Sequence, residues 1–279
     1  MKELINKLLS ESYDLNQKID IAINNISMNR LGNIKRELNK EQEKNIDLMK
    51  SLNYRKASIN FHITKIIETT NEIIEHTNHE FQNRRIVNYQ DINSAPNYLL
   101  FLLDDFIFNL LSFYDYLAKL VYLTYFKRIK RIDWNWLIIK AKKIRSRNNS
   151  NFYTKYRIRN EDINSLIEEN YQFIRKISDI RSDLLHNRSY ESNLTQNFNW
   201  TPESTHVETV IKFPSEYSLK IKIFQEFLNE QNITEADIAI GSSWIYHRFS
   251  KSISIILNIA IERVSLENKD ILKLKLKFP

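Results

Sequence analysis

SAPNYLLFLLDDFIFNLLSFYDYLAKLVYLTYF, residues 94 to 126, is the stretch on which the fold turns. Leu99, Leu103, Phe106, Leu110, Phe113, Leu117 and Leu120 recur every three or four residues, the spacing that lines one face of an α-helix. Asp104, Asp105, Asn109, Asp115 and Lys119 interrupt the apolar run, and such groups are expensive in a lipid core. The segment therefore reads as the buried central helix of a helical protein, not as a membrane span. Ser94 and Pro96 predict its start, a hydroxyl cap followed by a proline where a missing N–H costs nothing.

Similar stripes extend in both directions. Ile5, Leu8, Leu15, Ile19, Ile23 and Ile26 predict a first helix that ends near Leu31, Gly32 and Asn33. Ile59, Ile63, Ile66, Ile67, Ile73 and Ile74 predict a long second helix, or two, reaching about Phe81. Together they form an expected helical hairpin over about 1–87, joined to the central helix by a polar connection at Asn88 to Ala95. Beyond the central helix, Asp133 is placed to cap a shorter helix running to about Ile144, with a polar loop from Arg145 to Tyr156. Asn160, Glu161 and Asp162 supply a cap and an acidic first turn for Ile163, Leu166, Ile167, Ile174, Ile177, Ile180 and Leu184, a helix expected to end near Asn187. Thr234 to Asp237 starts the last long helix, which continues through Trp244, Phe249, Ile253, Ile256 and Ile259 toward Leu266.

Two short segments alternate instead. Val207, Thr209, Ile211 and Phe213 suit a short strand, and so do Leu272, Leu274, Leu276 and Phe278 between lysines, so the two are expected to pair. The expected fold class is all-α, a single domain over 1–279 with a bundle core at about 94–266 and at most a minor two-stranded β element.

Composition narrows the chemistry. The chain of 279 residues, 42% hydrophobic and 12% aromatic, has material for a substantial core. With no Cys, disulfides, thiol nucleophiles and Cys-ligated metals are excluded. Only Gly32 and Gly241 are glycines, whereas Walker and Rossmann phosphate loops each need several. The opening residues lack the apolar core of a signal peptide, and a cytoplasmic location is expected.

The formal charge of +7 is unevenly spread: residues 127 to 159 hold twelve basic side chains and one acid, Asp133. Trp134, Trp136, Phe152, Tyr153 and Tyr156 interleave with them, a mixture suited to binding phosphates and stacking unpaired bases. Lys140, Lys142, Lys143, Arg145 and Arg147, with Arg188 further on, are the candidate RNA-binding residues. An ordinary solvated helix face accounts for some of them equally well.

The sharpest local feature is Ile180-Arg181-Ser182-Asp183-Leu184-Leu185-His186-Asn187. Arg181 and His186 lie roughly 140° apart around a helix, not stacked, yet a long arginine and a helix-terminal histidine can line one cleft. An imidazole titrates near neutrality and can move a proton, while a guanidinium forks onto phosphate oxygens. That chemistry needs no metal. Asp183, one turn before His186, can orient the ring. The plain structural alternative has Arg181 paired with a surface carboxylate and His186 closing a helix.

Arg181, four residues and then His186, on a helix that comes after FNLLSFYDYLAKLVYL (Phe108 to Leu123), resembles the HEPN superfamily of helical-bundle proteins. The resemblance spans roughly Ser94 to Leu266 in helical order, although its signature is only two residues. It implies a homodimer whose paired motifs cleave RNA without metal. His186 would serve as general base or acid for attack of a ribose 2′-OH, and Arg181 would stabilise the charge developing on phosphorus, leaving a 2′,3′-cyclic phosphate and a 5′-OH. A toxin or antiphage role, with a cognate antitoxin or sensor protein as a further partner, comes with the same resemblance. Ser182 departs from the Asn, Asp or His common after the arginine, so its phosphate contact would be weaker; Ser182, Asp183 and Asn187 are the supporting residues. Arg188 stands where some relatives carry a modifiable Tyr, and that regulation is not inferred.

Two other readings stay open. A non-enzymatic helical module would bind RNA or a protein through the basic stretch and long helices. Glu72, Glu75, His76, His79 and Glu80 have ligand-like helical spacing, but one helix rarely completes a metal site. No metal and no cofactor are therefore expected, and the absence of a Gly-x-Ser-x-Gly elbow leaves serine hydrolase chemistry unsupported.

Overall fold

A computed structural model describes residues 2–31, 40–82, 89–126, 131–134, 161–186, 196–199, 208–213, 221–234 and 236–267. Of these, 91% are helical. The order is α1 (Lys2–Leu31), α2 (Lys40–Gln82), α3 (Tyr89–Phe126), α4 (Glu161–His186), β1 (Gln196–Asn199), β2 (Glu208–Ile211), α5 (Lys222–Glu230) and α6 (Ile238–Glu267). The all-α class and the ends of α1, α2 and α4 match the apolar periodicity closely.

The start of α3 does not. The helix begins at Tyr89, so Ser94 and Pro96 lie inside it and neither marks its first turn. Proline removes one N–H from the ladder, and a hydroxyl cap is worth only about 1 kcal/mol. A 38-residue helix carrying a long buried stripe outweighs so local a signal. Trp134, the residue after Asp133, is helical, and its amide donates to Asp115 Oδ1 of α3 at 3.0 Å. The remainder of that expected helix and the expected loop at 145–156 lie outside the described residues.

The chain divides into two compact units, each assembled from three separate segments. Unit 1 comprises Met1–Leu9, Ser58–Phe108 and Lys176–Tyr246. Its buried side chains include Ile5 and Leu8 of α1, Ile59, Ile63 and Ile66 of α2, Leu99, Leu103, Phe106 and Ile107 of α3, and Ile177 and Ile180 of α4. Each such side chain contributes about 1.5–3 kcal/mol when fully removed from water, which is why these positions repeat at helical spacing. At one end an aromatic cluster closes the unit: Phe224 of α5 packs on Trp244 of α6 at 4.7 Å between ring centres and edge-on to Phe213 at 5.8 Å.

The only sheet among the described residues also belongs to unit 1. β1 and β2 pair antiparallel, Gln196 opposite Ile211 and Asn199 opposite Glu208. The expected partnership of residues 207–213 with the C-terminal tail involves residues that lie outside the described ones. Eight residues separate β1 from β2, and closing so short a connection costs little entropy. The chain then leaves β2 through a bridge between Lys212 and Asp237, and the Phe213 amide donates to the Ala236 carbonyl at 2.8 Å. Asp237, not Thr234, caps α6: its Oδ1 accepts the Ile240 amide at 2.6 Å.

Unit 2 comprises Ser10–Ala57, Asn109–Arg175 and His247–Pro279. Ile19, Ile23, Leu52, Leu117, Leu120, Ile174, Ile253 and Leu257 are buried there. Phe249 receives the rings of Phe113 and Tyr114 in edge-to-face contact, at 5.5 and 5.2 Å. Polar ties cross this core as well: Asn16 donates to Ser250 at 3.2 Å, Arg55 to Asn109 at 2.8 Å, and Lys56 pairs with Asp20. A buried amide or cation costs several kcal/mol without a partner, so these pairings constrain how the helices meet.

Candidate functional site

Helix α4 turns Ile177 and Ile180 into the core, and that orientation fixes where the side chains of its next turn can point. Arg181 is half-buried and Ser182 exposed. The Arg181 guanidinium carbon lies 4.7 Å from the centre of the Phe108 ring on α3, a cation over an aromatic face. Its Nε is buried and makes no hydrogen bond. No carboxylate among the described residues pairs with Arg181, so the surface ion pair offered as its plain explanation is not found there.

Phe108 lies in the middle of the core helix α3 and Arg181 opens the Arg-x4-His motif; they stand some seventy positions apart, and the fold brings them into contact. His186 is the last residue of α4, as its place before a polar stretch predicts. The side chains of His186 and Asp183, with Asn187, Arg188, Lys140, Lys142, Lys143, Arg145 and Arg147, lie outside the described residues. Of the residues assigned to the Arg-x4-His motif and its RNA-binding surroundings, the structure thus positions Arg181 and Ser182 with their side chains and Asp183 and His186 by their backbone.

Unit 1 holds a second polar group, one that sequence spacing does not mark. His62 of α2 has its Nδ1 2.7 Å from the Ser58 carbonyl oxygen. A carbonyl can only accept, so Nδ1 carries the proton and donates it there. The other nitrogen, Nε2, lies 3.6 Å from Asp105 Oδ2 on α3. The His62 side chain is 12% exposed and that of Asp105 64%. Asp105 and Phe108 are i and i+3 on α3, one helical turn apart, so the histidine contact and the arginine contact occupy adjacent turns of the same helix. The signal in the sequence is a pair of acids, Asp104 and Asp105, in the middle of an apolar helix; a histidine on another helix as their neighbour is invisible to spacing.

Around this ridge unit 1 exposes large aromatic rings: Phe61 is 55% exposed, Tyr98 51% and Phe101 68%. Lys65 of α2 is hydrogen-bonded to Glu68 at 2.6 Å, and that bond raises its pKa above the usual lysine value. Further along α2, Glu72, Glu75, His76 and His79 are helical; among the described residues no group of three or more His, Asp or Glu side chains is arranged to hold a metal ion.

One stretch, Tyr98–Thr124, is long and apolar enough to cross a membrane by length and composition, and 72% of its apolar window is buried inside the protein. It is the core helix α3. No family model matches the chain, and no curated protein or solved structure is significantly similar to it.

Proposed function

We propose that this protein is a metal-independent endoribonuclease of HEPN type that acts as a homodimer in the cytoplasm, as a toxin or defence effector. The observation that supports the reading is the Arg181 guanidinium, held against Phe108 with its Nε desolvated and unpaired. An arginine kept away from any described carboxylate retains its donors for an anion, and a buried guanidinium binds phosphate more strongly than one in water. In the proposed reaction the ribose 2′-oxygen attacks phosphorus, the bond from phosphorus to the 5′-oxygen breaks, and His186 moves a proton. Arg181 stabilises the charge that accumulates on the non-bridging oxygens.

Incubating purified protein and its His186→Ala variant with total RNA and tRNA in EDTA tests this. The expected result is cleavage by the wild type alone, leaving 2′,3′-cyclic phosphate and 5′-OH ends. Equal profiles for the two proteins, or cleavage only with added metal, would sink the reading.

The exposed Phe61, Tyr98 and Phe101 favour a second reading, a helical module that binds RNA or a protein partner without cutting. Under it, His186→Ala leaves RNA retention unchanged and no cleavage is seen with either protein.

A further inference from the structure

The large apolar side chains that unit 1 leaves exposed, among its described residues, are Phe61, Tyr98 and Phe101, and the fold gathers them along one seam. Phe61 of α2 packs edge-on to His62 at 5.3 Å, and His62 Nε2 lies 3.6 Å from Asp105 Oδ2 on α3. Phe101 stands one turn before Asp105 on the same side of α3. Tyr98, a further turn back, acts on the charge of Lys65, which is one turn after Phe61. The inner faces of these two helices, Ile59, Ile63 and Ile66 on α2 and Leu99, Leu103 and Phe106 on α3, are buried. The three rings are therefore surplus to the core of unit 1, and aromatic side chains gathered in water mark a contact surface.

The charges beside the rings are mostly of one sign. Lys65, Glu68, Glu72 and Glu75 fall within about 40° of Phe61 around α2, and the three glutamates are exposed. Asp105 adds a fourth carboxylate from α3. Lys65, the cation of that row, is hydrogen-bonded to Glu68 at 2.6 Å. A phosphate backbone would meet an excess of carboxylate here, and a second copy docking through the same face about a two-fold axis would set like rows against each other. A basic polypeptide has the complementary charge. Its apolar side chains and aliphatic stems cover the rings, while its cations lie over aromatic faces and bond to the carboxylates.

We propose that this face of unit 1 docks a basic, amphipathic segment of a partner protein, with Phe61, Tyr98 and Phe101 receiving its apolar side and Glu68, Glu72 and Asp105 its arginines and lysines. The assignment rests on the binding reading above, within which it selects protein over RNA, and it is independent of cleavage.

The test is fluorescence anisotropy on the full chain with three labelled probes: a peptide alternating Arg with Leu, its counterpart with Glu in place of Arg, and an oligouridine strand. Wild type is expected to bind the basic peptide at least about 10-fold more tightly than the acidic one, and less tightly as salt rises. Phe101→Ser is expected to weaken that binding by about 10-fold. The double change Glu68→Lys with Glu72→Lys is expected to transfer the preference to the acidic peptide. These positions are exposed, and circular dichroism checks that both variants fold. Equal affinity for the two peptides, or binding that neither variant alters, overturns the proposal. Oligouridine bound in place of the basic peptide, and lost in Phe101→Ser, makes the occupant RNA and overturns the proposal while the binding reading stands. Wild type that sediments as a dimer and Phe101→Ser as a monomer make the occupant a second copy, which also overturns it. No binding of any probe overturns both the proposal and the binding reading.

Discussion

Arg181 and Phe108 meet with the guanidinium carbon 4.7 Å from the ring centre, joining the first residue of the Arg-x4-His motif to the middle of the core helix α3. The contact fixes the arginine stem without using a carboxylate. If Arg181 serves phosphate, the planar fork matters and not only the charge. Arg181→Lys is therefore expected to lower kcat/KM for RNA cleavage by about 100-fold, in the range seen when one charge-stabilising donor is removed. Phe108→Leu is expected to fall between wild type and Arg181→Lys. Circular dichroism and thermal melts should show both variants folded; full activity in Arg181→Lys argues against phosphate binding here.

Gly241 is required by a close approach. A Cβ built at this position would sit 2.4 Å from Phe213 Cδ2. The ring cannot swing away freely, since it is buried and packed edge-on to Phe224 at 5.8 Å. Gly241→Ala is expected to destabilise the protein by about 1–3 kcal/mol in urea unfolding, the usual range for overpacking. Adding Phe213→Leu, which shortens the obstructing group, is expected to recover part of that loss. Additive effects of the two changes would rule out the steric account.

Asp237 carries a conflict between capping and burial. Burial raises the pKa of its carboxyl above the usual value, against the opposing hydrogen bonds from the Ile240 and Ala239 amides. A carboxyl whose folded value is raised holds its proton more tightly in the native state. The stability it contributes is fully present below the unfolded value, about 3.9, and is lost as pH rises through the folded value. At neutral pH the ionised group is therefore a liability that an uncharged cap avoids. Asp237→Asn keeps an acceptor for Ile240 and is expected to match or exceed the wild-type Tm at pH 7, with the difference moving against the variant on acidification. Asp237→Ala, which has no acceptor, is expected to cost about 1 kcal/mol at pH 7. A variant advantage that grows on acidification would contradict the assignment.

The helices are legible in the sequence because each buries one face, and burial leaves a periodic trace. Ile19, Ile23 and Ile26, or Leu99, Leu103 and Phe106, are read from spacing alone and are buried in the folded chain. Local signals do less well where they compete with long-range packing. Ser94 and Pro96 look like a helix start and lie inside α3, and Thr234 looks like a cap while Asp237 does the capping. The strand at Glu208–Ile211 is readable from alternation, but its partner is not, because a period-2 pattern specifies a face and leaves the neighbour open.

Arg181 shows the same division within the candidate site. Residue type and spacing mark it as an anion-binding candidate and place His186 at the end of its helix. That the guanidinium rests on Phe108, that its Nε is buried without a partner, and that His62 and Asp105 meet one turn away on α3 are tertiary facts. The sequence by itself determined a mostly helical chain, the faces its helices bury and a motif suited to proton and phosphate chemistry, since these depend on periodicity and side-chain type. Only the tertiary structure decided which distant residues share a surface, because such contacts join helices whose order along the chain carries no record of who packs against whom.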